Sequence, residues 1–161
     1  SVSKPITSAT LMTIIENDPS LLASSIFGPN GILGTEYGTV PYSENEKDLT
    51  LEQLLEHTAA GTVWTNAQND PMFMHTNYNF KQLIDWVLDT RDPDYLPGQH
   101  YAYSNFGYCL LGRVIEKLSG IDYKSYVQEN VLKQCGINDM HIGGSLKSDK
   151  RQSHLYSKPK S

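Results

Sequence analysis

Apolar side chains recur at helical spacing in the segment that follows Asn105. Phe106, Leu110 and Val114 lie four residues apart, and Gly120 follows the last apolar turn, where helices commonly end in a left-handed residue. The pattern predicts an amphipathic helix that ends at Gly120. The same apolar face is extended by Leu111, Ile115 and Leu118.

The residues just before this helix are polar. Tyr103-Ser104-Asn105 follows the turn signal Pro97-Gly98, which places the three side chains at a loop-to-helix junction. Such side chains can face a cleft while packing fixes the helix behind them. We expect Ser104 or Asn105 to cap the helix as well.

Four further helices follow from spacing and capping signals. The first spans residues 1–17, with Pro5 in its first turn and one face formed by Ile6, Ala9, Thr13 and Ile14. Capping residues begin the other three at Thr50 with Gln53, at Asn79 with Gln82, and at Asp122. We expect these helices to end at His57, before Asp92-Pro93 and at Cys135-Gly136. Their predicted inward residues are Leu51, Leu54 and Leu55; Phe80, Leu83, Ile84, Val87 and Leu88; and Tyr123, Tyr126, Val127 and Val131 or Leu132.

Two long segments lack a regular pattern. Residues 18–48 are rich in Gly and Pro, and residues 59–79 combine turn residues with apolar side chains that we expect to be exposed or half-buried. Those apolar residues are Trp64, Met72, Phe73 and Met74. Because strand patterns are scarce, the sequence predicts a mainly α fold of four or five helices joined by two long loops.

Composition and charge narrow the function classes. With 161 residues, 39% hydrophobic and 19% charged, the chain fits one domain of ordinary soluble composition. No apolar run approaches the roughly 20 residues that span a bilayer, so we expect no membrane span. The net charge of −5, without a dense Lys/Arg stripe, argues against nucleic acid as a partner. Cys109 and Cys135 have neither disulfide-framework nor metal-finger spacing.

Two polar motifs and the segment between them resemble one known family. Ser1-Val2-Ser3-Lys4 is similar to a Ser-x-x-Lys motif, and Tyr103-Ser104-Asn105 is similar to the second motif of the serine β-lactamase and penicillin-binding-protein-like family. The likeness is greatest to its class C and esterase branch. Between the motifs, Leu54-Leu55-Glu56-His57-Thr58-Ala59 resembles the family's Leu-Leu-x-His-Thr segment. Two motifs in the right order are more specific than one, and the resemblance covers most of residues 1–140.

The resemblance implies a particular part of a larger fold. It is the helical subdomain of a β-lactamase-like α/β serine hydrolase, with the flanking antiparallel sheet largely absent from this chain. We expect one partial helical domain over residues 1–142 and a polar tail over 143–161 that is flexible or leads into the missing sheet. No signal peptide is recognisable, so we expect a soluble fragment of undetermined location. Apolar surface without its sheet favours self-association or a covering partner.

The resemblance also implies catalytic roles for Ser1, Lys4, Tyr103 and Asn105. A serine hydroxyl is a poor nucleophile at neutral pH and needs a neighbour that accepts its proton. A lysine can do so when burial or another cation depresses its pKa, and a tyrosine can when positive charge stabilises its phenolate. The Asn105 amide can orient Lys4 or a substrate carbonyl. The expected substrates are small esters, amides or peptides, with no cofactor and no metal.

The departures from the family pattern leave two functions open. The third motif, a Lys or His followed by Thr or Ser and Gly on a strand, is missing; His141-Ile142-Gly143-Gly144 lacks a strand pattern and is assigned to a loop. The oxyanion hole is therefore incomplete. The chain is either a serine hydrolase that acts through an acyl-enzyme or a non-catalytic helical binding or assembly module. If the first motif is coincidental, Ser1 is a frayed terminus and Lys4 is a solvated surface lysine. Independently of that choice, the position of His57 beside a helix terminus favours a structural residue over a base.

Overall fold

The computed structural model describes residues 2–39, 41–65 and 70–143. Within those ranges it contains seven α-helices, a 3₁₀ turn, a π turn and two isolated β-bridges, and no β-strand. The mainly α prediction is confirmed for this part of the chain. The helices are α1 (Ser3–Ile15), α2 (Glu44–Lys47), α3 (Leu51–Glu56), α4 (Pro71–Met74), α5 (Phe80–Thr90), α6 (Asn105–Ser119) and α7 (Tyr123–Val127); the 3₁₀ turn is Pro19–Ala23 and the π turn is Gln128–Leu132.

Helix α6 lies at the centre of the packing. Helices α1, α3, α4 and α7 all contact it. Leu110 and Leu111 have no exposed surface, which confirms the helix as core. Its buried side chains join one continuous apolar cluster with residues from α1, α3 and α5. The α6 members of that cluster are Phe106, Leu110, Leu111, Val114 and Ile115.

The predicted capping signals set most helix ends. Thr50 with Gln53 and Asn79 with Gln82 form reciprocal capping boxes, as their spacing predicts. Ser104, rather than Asn105, caps α6, and Gly120 ends it with φ of 70°. A further capping box begins α2, a short helix that the Gly- and Pro-rich composition of residues 18–48 does not predict.

The buried face of α1 differs from the predicted one. Ala9 is exposed, and Ile6, Thr13 and Ile14 are only half-buried. Two threonines lie in the core because their hydroxyls are paired: Thr10 donates to the Ile6 carbonyl at 2.7 Å, and the Thr7 and Tyr123 hydroxyls share a hydrogen bond of 2.7 Å. A rule based on apolar spacing alone cannot find such a face. The buried residues are Thr7, Thr10, Leu11 and Ile15.

Two aromatic residues also depart from their predicted positions. Trp64 is fully buried rather than exposed or half-buried, because its indole Nε1 donates to the Arg91 carbonyl at 3.0 Å and its ring packs edge-on against Phe106. Phe80, predicted to face inward from α5, is 51% exposed. It lies in the first turn of α5, where the Arg113 guanidinium covers its ring at 4.4 Å.

The chain beyond α7 is described only as far as Gly143. Asp122 caps α7, and Gly136, with φ of 72°, follows the π turn, as the stop signal predicts. Residues 144–161, all but the first residue of the predicted tail 143–161, lie outside the described residues, so the division of the chain after residue 142 stays a prediction. In the described ranges, no helix is at once long and apolar enough to cross a membrane.

Candidate active site

The first turn of α1 meets the first turn of α6, and this contact brings the two motifs together. Lys4 Nζ donates a hydrogen bond to Asn105 Oδ1 at 2.5 Å. The same ammonium lies 4.6 Å from the centre of the Tyr103 ring. Three of the four predicted site residues therefore lie within contact distance. The fourth, Ser1, lies outside the described residues.

Asp70 also contacts the candidate site, although the sequence does not predict it as a site residue. Its Oδ2 accepts a hydrogen bond from Asn105 Nδ2 at 2.6 Å, and its Oδ1 accepts from the Met72 backbone N–H at 2.9 Å, capping α4. The side chain is buried. Asp70 before Pro71 is the signature of a helix start, but nothing in the local sequence indicates the contact with Asn105.

The Ser104 side chain fixes the start of α6 through two hydrogen bonds. Its hydroxyl accepts from the Gly107 N–H at 2.9 Å and donates to the Trp64 carbonyl at 2.8 Å. Both bonds are buried. Because one hydroxyl satisfies both groups, the backbone that presents Asn105 is tied to the core.

His57 contacts the residues that precede α6. It ends α3 with φ of 61° and is the one non-glycine residue with positive φ in the described part of the chain. Its Nδ1 accepts from the Ser104 backbone N–H at 3.1 Å, and its ring lies 4.6 Å from Tyr103 and 5.0 Å from Tyr108. Burial, followed by the positive charge of Lys4, lowers the pKa of His57. The neutral imidazole is therefore favoured, in keeping with the predicted structural role.

A small cavity of about 210 Å³ adjoins Lys4. Its walls are mainly apolar and include Arg113. Cys109 also lines it, but burial raises the pKa of this thiol to about 11. Cys109 is therefore protonated at neutral pH and is not a competing nucleophile. The lining residues are Ser3, Lys4, Thr7, Met72, Phe80, Tyr108, Cys109, Gly112, Arg113 and Tyr123.

The arrangement suits proton transfer and hydrogen bonding. It brings the Lys4 amine within contact distance of the Asn105 amide and the Tyr103 ring, and the buried Asp70 carboxylate accepts a hydrogen bond from the amide. Among the described residues, no group of three or more His, Cys, Asp or Glu side chains is placed to hold a metal ion. That the chemistry needs no metal stays a prediction.

Comparison with known proteins identifies the family that this arrangement represents. The family model described as Beta-lactamase matches residues 1–161. Penicillin-binding protein 4* of Bacillus subtilis (strain 168) is 26% identical over 164 residues, covering 96% of this chain and 32% of that protein. The "Probable fimbrial assembly protein FimD, serogroup H1" of Dichelobacter nodosus is 28% identical over 158 residues, covering 94% and 36%. The chain thus spans about a third of the length of these relatives.

A solved structure shows the same fold. The D-stereospecific amidohydrolase from Streptomyces sp. superimposes with a TM-score of 0.63 at 24% identity, over 84% of this chain and 41% of that one. At this level of identity the likeness concerns the fold alone. The helical architecture described above is therefore a helical part of the β-lactamase fold.

Proposed function

Because the chain belongs to the Beta-lactamase family, we propose that it supplies the nucleophile and its proton-transfer partners in a serine hydrolase that acts by acyl transfer. The supporting observation is the 2.5 Å hydrogen bond between Lys4 Nζ and Asn105 Oδ1, which joins residues 101 positions apart. A lysine side chain that only extended into solvent would not form this hydrogen bond. The contact supports a shared site for the two motifs.

In the proposed reaction, Ser1 Oγ attacks the carbonyl carbon of the substrate. The serine proton passes to the Lys4 amine or to the Tyr103 phenolate, and is then delivered to the leaving alcohol or amine as the carbonyl bond to it breaks. Water hydrolyses the acyl-enzyme by the same proton path in reverse. The ammonium 4.6 Å from the Tyr103 ring supports the phenolate route, since positive charge stabilises that anion.

The substrate class we propose is a small ester, amide or peptide. The mainly apolar cavity beside Lys4 can receive a short apolar group attached to the reacting carbonyl.

A second candidate function, a non-catalytic assembly module, is favoured by one observation. A relative named as a fimbrial assembly protein matches 94% of the chain.

Hydrolysis of an aryl ester by the full-length protein containing these residues tests the proposal. We expect Ser1→Ala to abolish turnover and labelling by a serine-directed fluorophosphonate. Lys4→Met should lower kcat/KM by about 10²–10⁴-fold, the usual contribution of a general base. Steady-state kinetics and mass spectrometry of the labelled protein provide the readouts.

Ser20→Ala is the matched control, because it removes an exposed serine hydroxyl that bonds Asp18 and is not among the residues lining the cavity. It should leave both labelling and the rate constant kcat close to the parent values. A folded full-length protein that is inert to both ester and fluorophosphonate would exclude the hydrolase and leave the assembly module.

A further inference from the structure

The side-chain amide of Asn105 lies between a cation and an anion. Its oxygen faces the Lys4 ammonium at 2.5 Å, and its nitrogen faces the Asp70 carboxylate at 2.6 Å. An ammonium only donates hydrogen bonds and a carboxylate only accepts them. The two neighbours therefore allow one orientation of the amide, with Oδ1 toward Lys4 and Nδ2 toward Asp70.

Asp70 is itself held in place. Its second oxygen accepts from the Met72 N–H at 2.9 Å, and Pro71 begins the helix that Asp70 caps. Only 5% of the residue is exposed, so water does not compete freely for the carboxylate. The carboxylate is a fixed acceptor whose direction is set by the backbone of α4.

We propose that Asp70 is a positioning residue, which orients the Asn105 amide and thereby holds the Lys4 amine in the cleft. Its link to catalysis rests on the proposed function, whereas its control of Lys4 position does not. Without a carboxylate at position 70, the Asn105 amide can rotate and present its N–H₂ group to Lys4. Two donors then face each other, and Lys4 loses its hydrogen bond.

Asp70→Asn tests this with almost no change in shape. The amide oxygen of the substituted side chain keeps the bond from the Met72 N–H, so its N–H₂ group faces Asn105 and favours the rotated amide. In the full-length protein we expect Lys4 Nζ to move beyond about 3.5 Å from Asn105 in a crystal structure, the limit of a hydrogen bond. We expect kcat to fall by about 10²-fold, the cost of a misplaced catalytic group, with a smaller change in KM.

Asp18→Asn is the control for the substitution itself. Asp18 also caps a turn, through the Ser20 N–H, but is exposed. This variant should keep both the position of Lys4 and the kcat of the parent. A structure of the Asp70→Asn protein in which Lys4 still bonds Asn105 would overturn the proposal. If the parent has no turnover, the crystallographic distance still decides on Asp70, and only the proposed function fails.

A swapped variant, Asp70→Asn with Asn105→Asp, covers the case in which the single variant does not fold. The new amide at position 70 can then donate to one oxygen of the new carboxylate at position 105, while the other oxygen accepts from Lys4. We expect the swap to restore the Lys4 contact with position 105 and the thermal stability lost in the single variant. A swap that is no better than Asp70→Asn in either respect would show that the Asp70 carboxylate does not act through Asn105.

Discussion

The middle and the N-terminal turn of helix α6 are held by different kinds of interaction. The middle is dry and apolar, with Leu110, Leu111 and Val114 entirely buried. The N-terminal turn is held by hydrogen bonds to Lys4, Asp70 and other residues distant in sequence. The middle stabilises the helix, whereas the N-terminal turn holds Asn105 against Lys4. The stabilising part and the proposed catalytic part are thus separated along the 15 residues of one helix.

The largest effect on stability should come from the apolar middle. Replacing Leu111 by Ala removes a fully buried side chain and should lower the free energy of unfolding by about 2–5 kcal/mol. Leu118→Ala, at a half-buried position of the same helix, is the control and should cost less. Denaturant titration measures both losses, and equal losses would show that the middle is not the core.

A smaller effect is expected at the N-cap. Ser104→Ala removes the acceptor for the Gly107 N–H and the donor to the Trp64 carbonyl. The free energy of unfolding should fall by about 0.5–2 kcal/mol. Ser119→Ala, at the other end of α6, should change it by less than about 0.5 kcal/mol. If the two alanine variants melt alike, the polar end does not depend on this hydroxyl.

The smallest effect should be a pH dependence that originates at His57. Folding lowers the pKa of His57 from its ordinary value of about 6.5. The unfolded chain therefore binds a proton on this ring more tightly than the folded protein does. The contribution of the neutral ring to stability is complete above that pH and is lost as the pH falls through the folded pKa. His57→Asn keeps a hydrogen-bond acceptor but does not titrate. Unfolding free energies measured from about pH 7.5 to about pH 5.5 should decline less in this variant; identical slopes would contradict the assignment.

The sequence predicts the apolar middle of α6 better than its polar end, for a physical reason. Helical spacing and capping boxes are local signals, so α5, α6 and the ends of α3 follow from residues a few positions apart. The buried threonines of α1 do not, because a hydroxyl bonded within its own helix looks polar in sequence and behaves as core. Trp64 is missed similarly, since its partners lie on α6 and at Arg91.

Only those residues of the candidate site that belong to a sequence motif are predictable. Lys4, Tyr103 and Asn105 follow from the family resemblance, and the structure brings them together. Asp70 belongs to no motif of the sequence, and its contact with Asn105 crosses 35 positions. Such a contact depends on where two helix ends meet, which neither propensity nor spacing encodes. The role of Ser1 stays a prediction.

The buried position of Trp64 gives the molecule an optical signal of its own. The chain has two tryptophans: Trp64 is shielded from solvent, and Trp86 is half-buried beside His75 and the Arg91 guanidinium. An indole in a dry environment emits at shorter wavelength than one that contacts water. The Trp64 carbonyl accepts a hydrogen bond from the Ser104 hydroxyl, so the Trp64 indole lies close to the N-cap of α6. A change in packing around this N-cap should therefore shift the emission wavelength of Trp64, without any added dye.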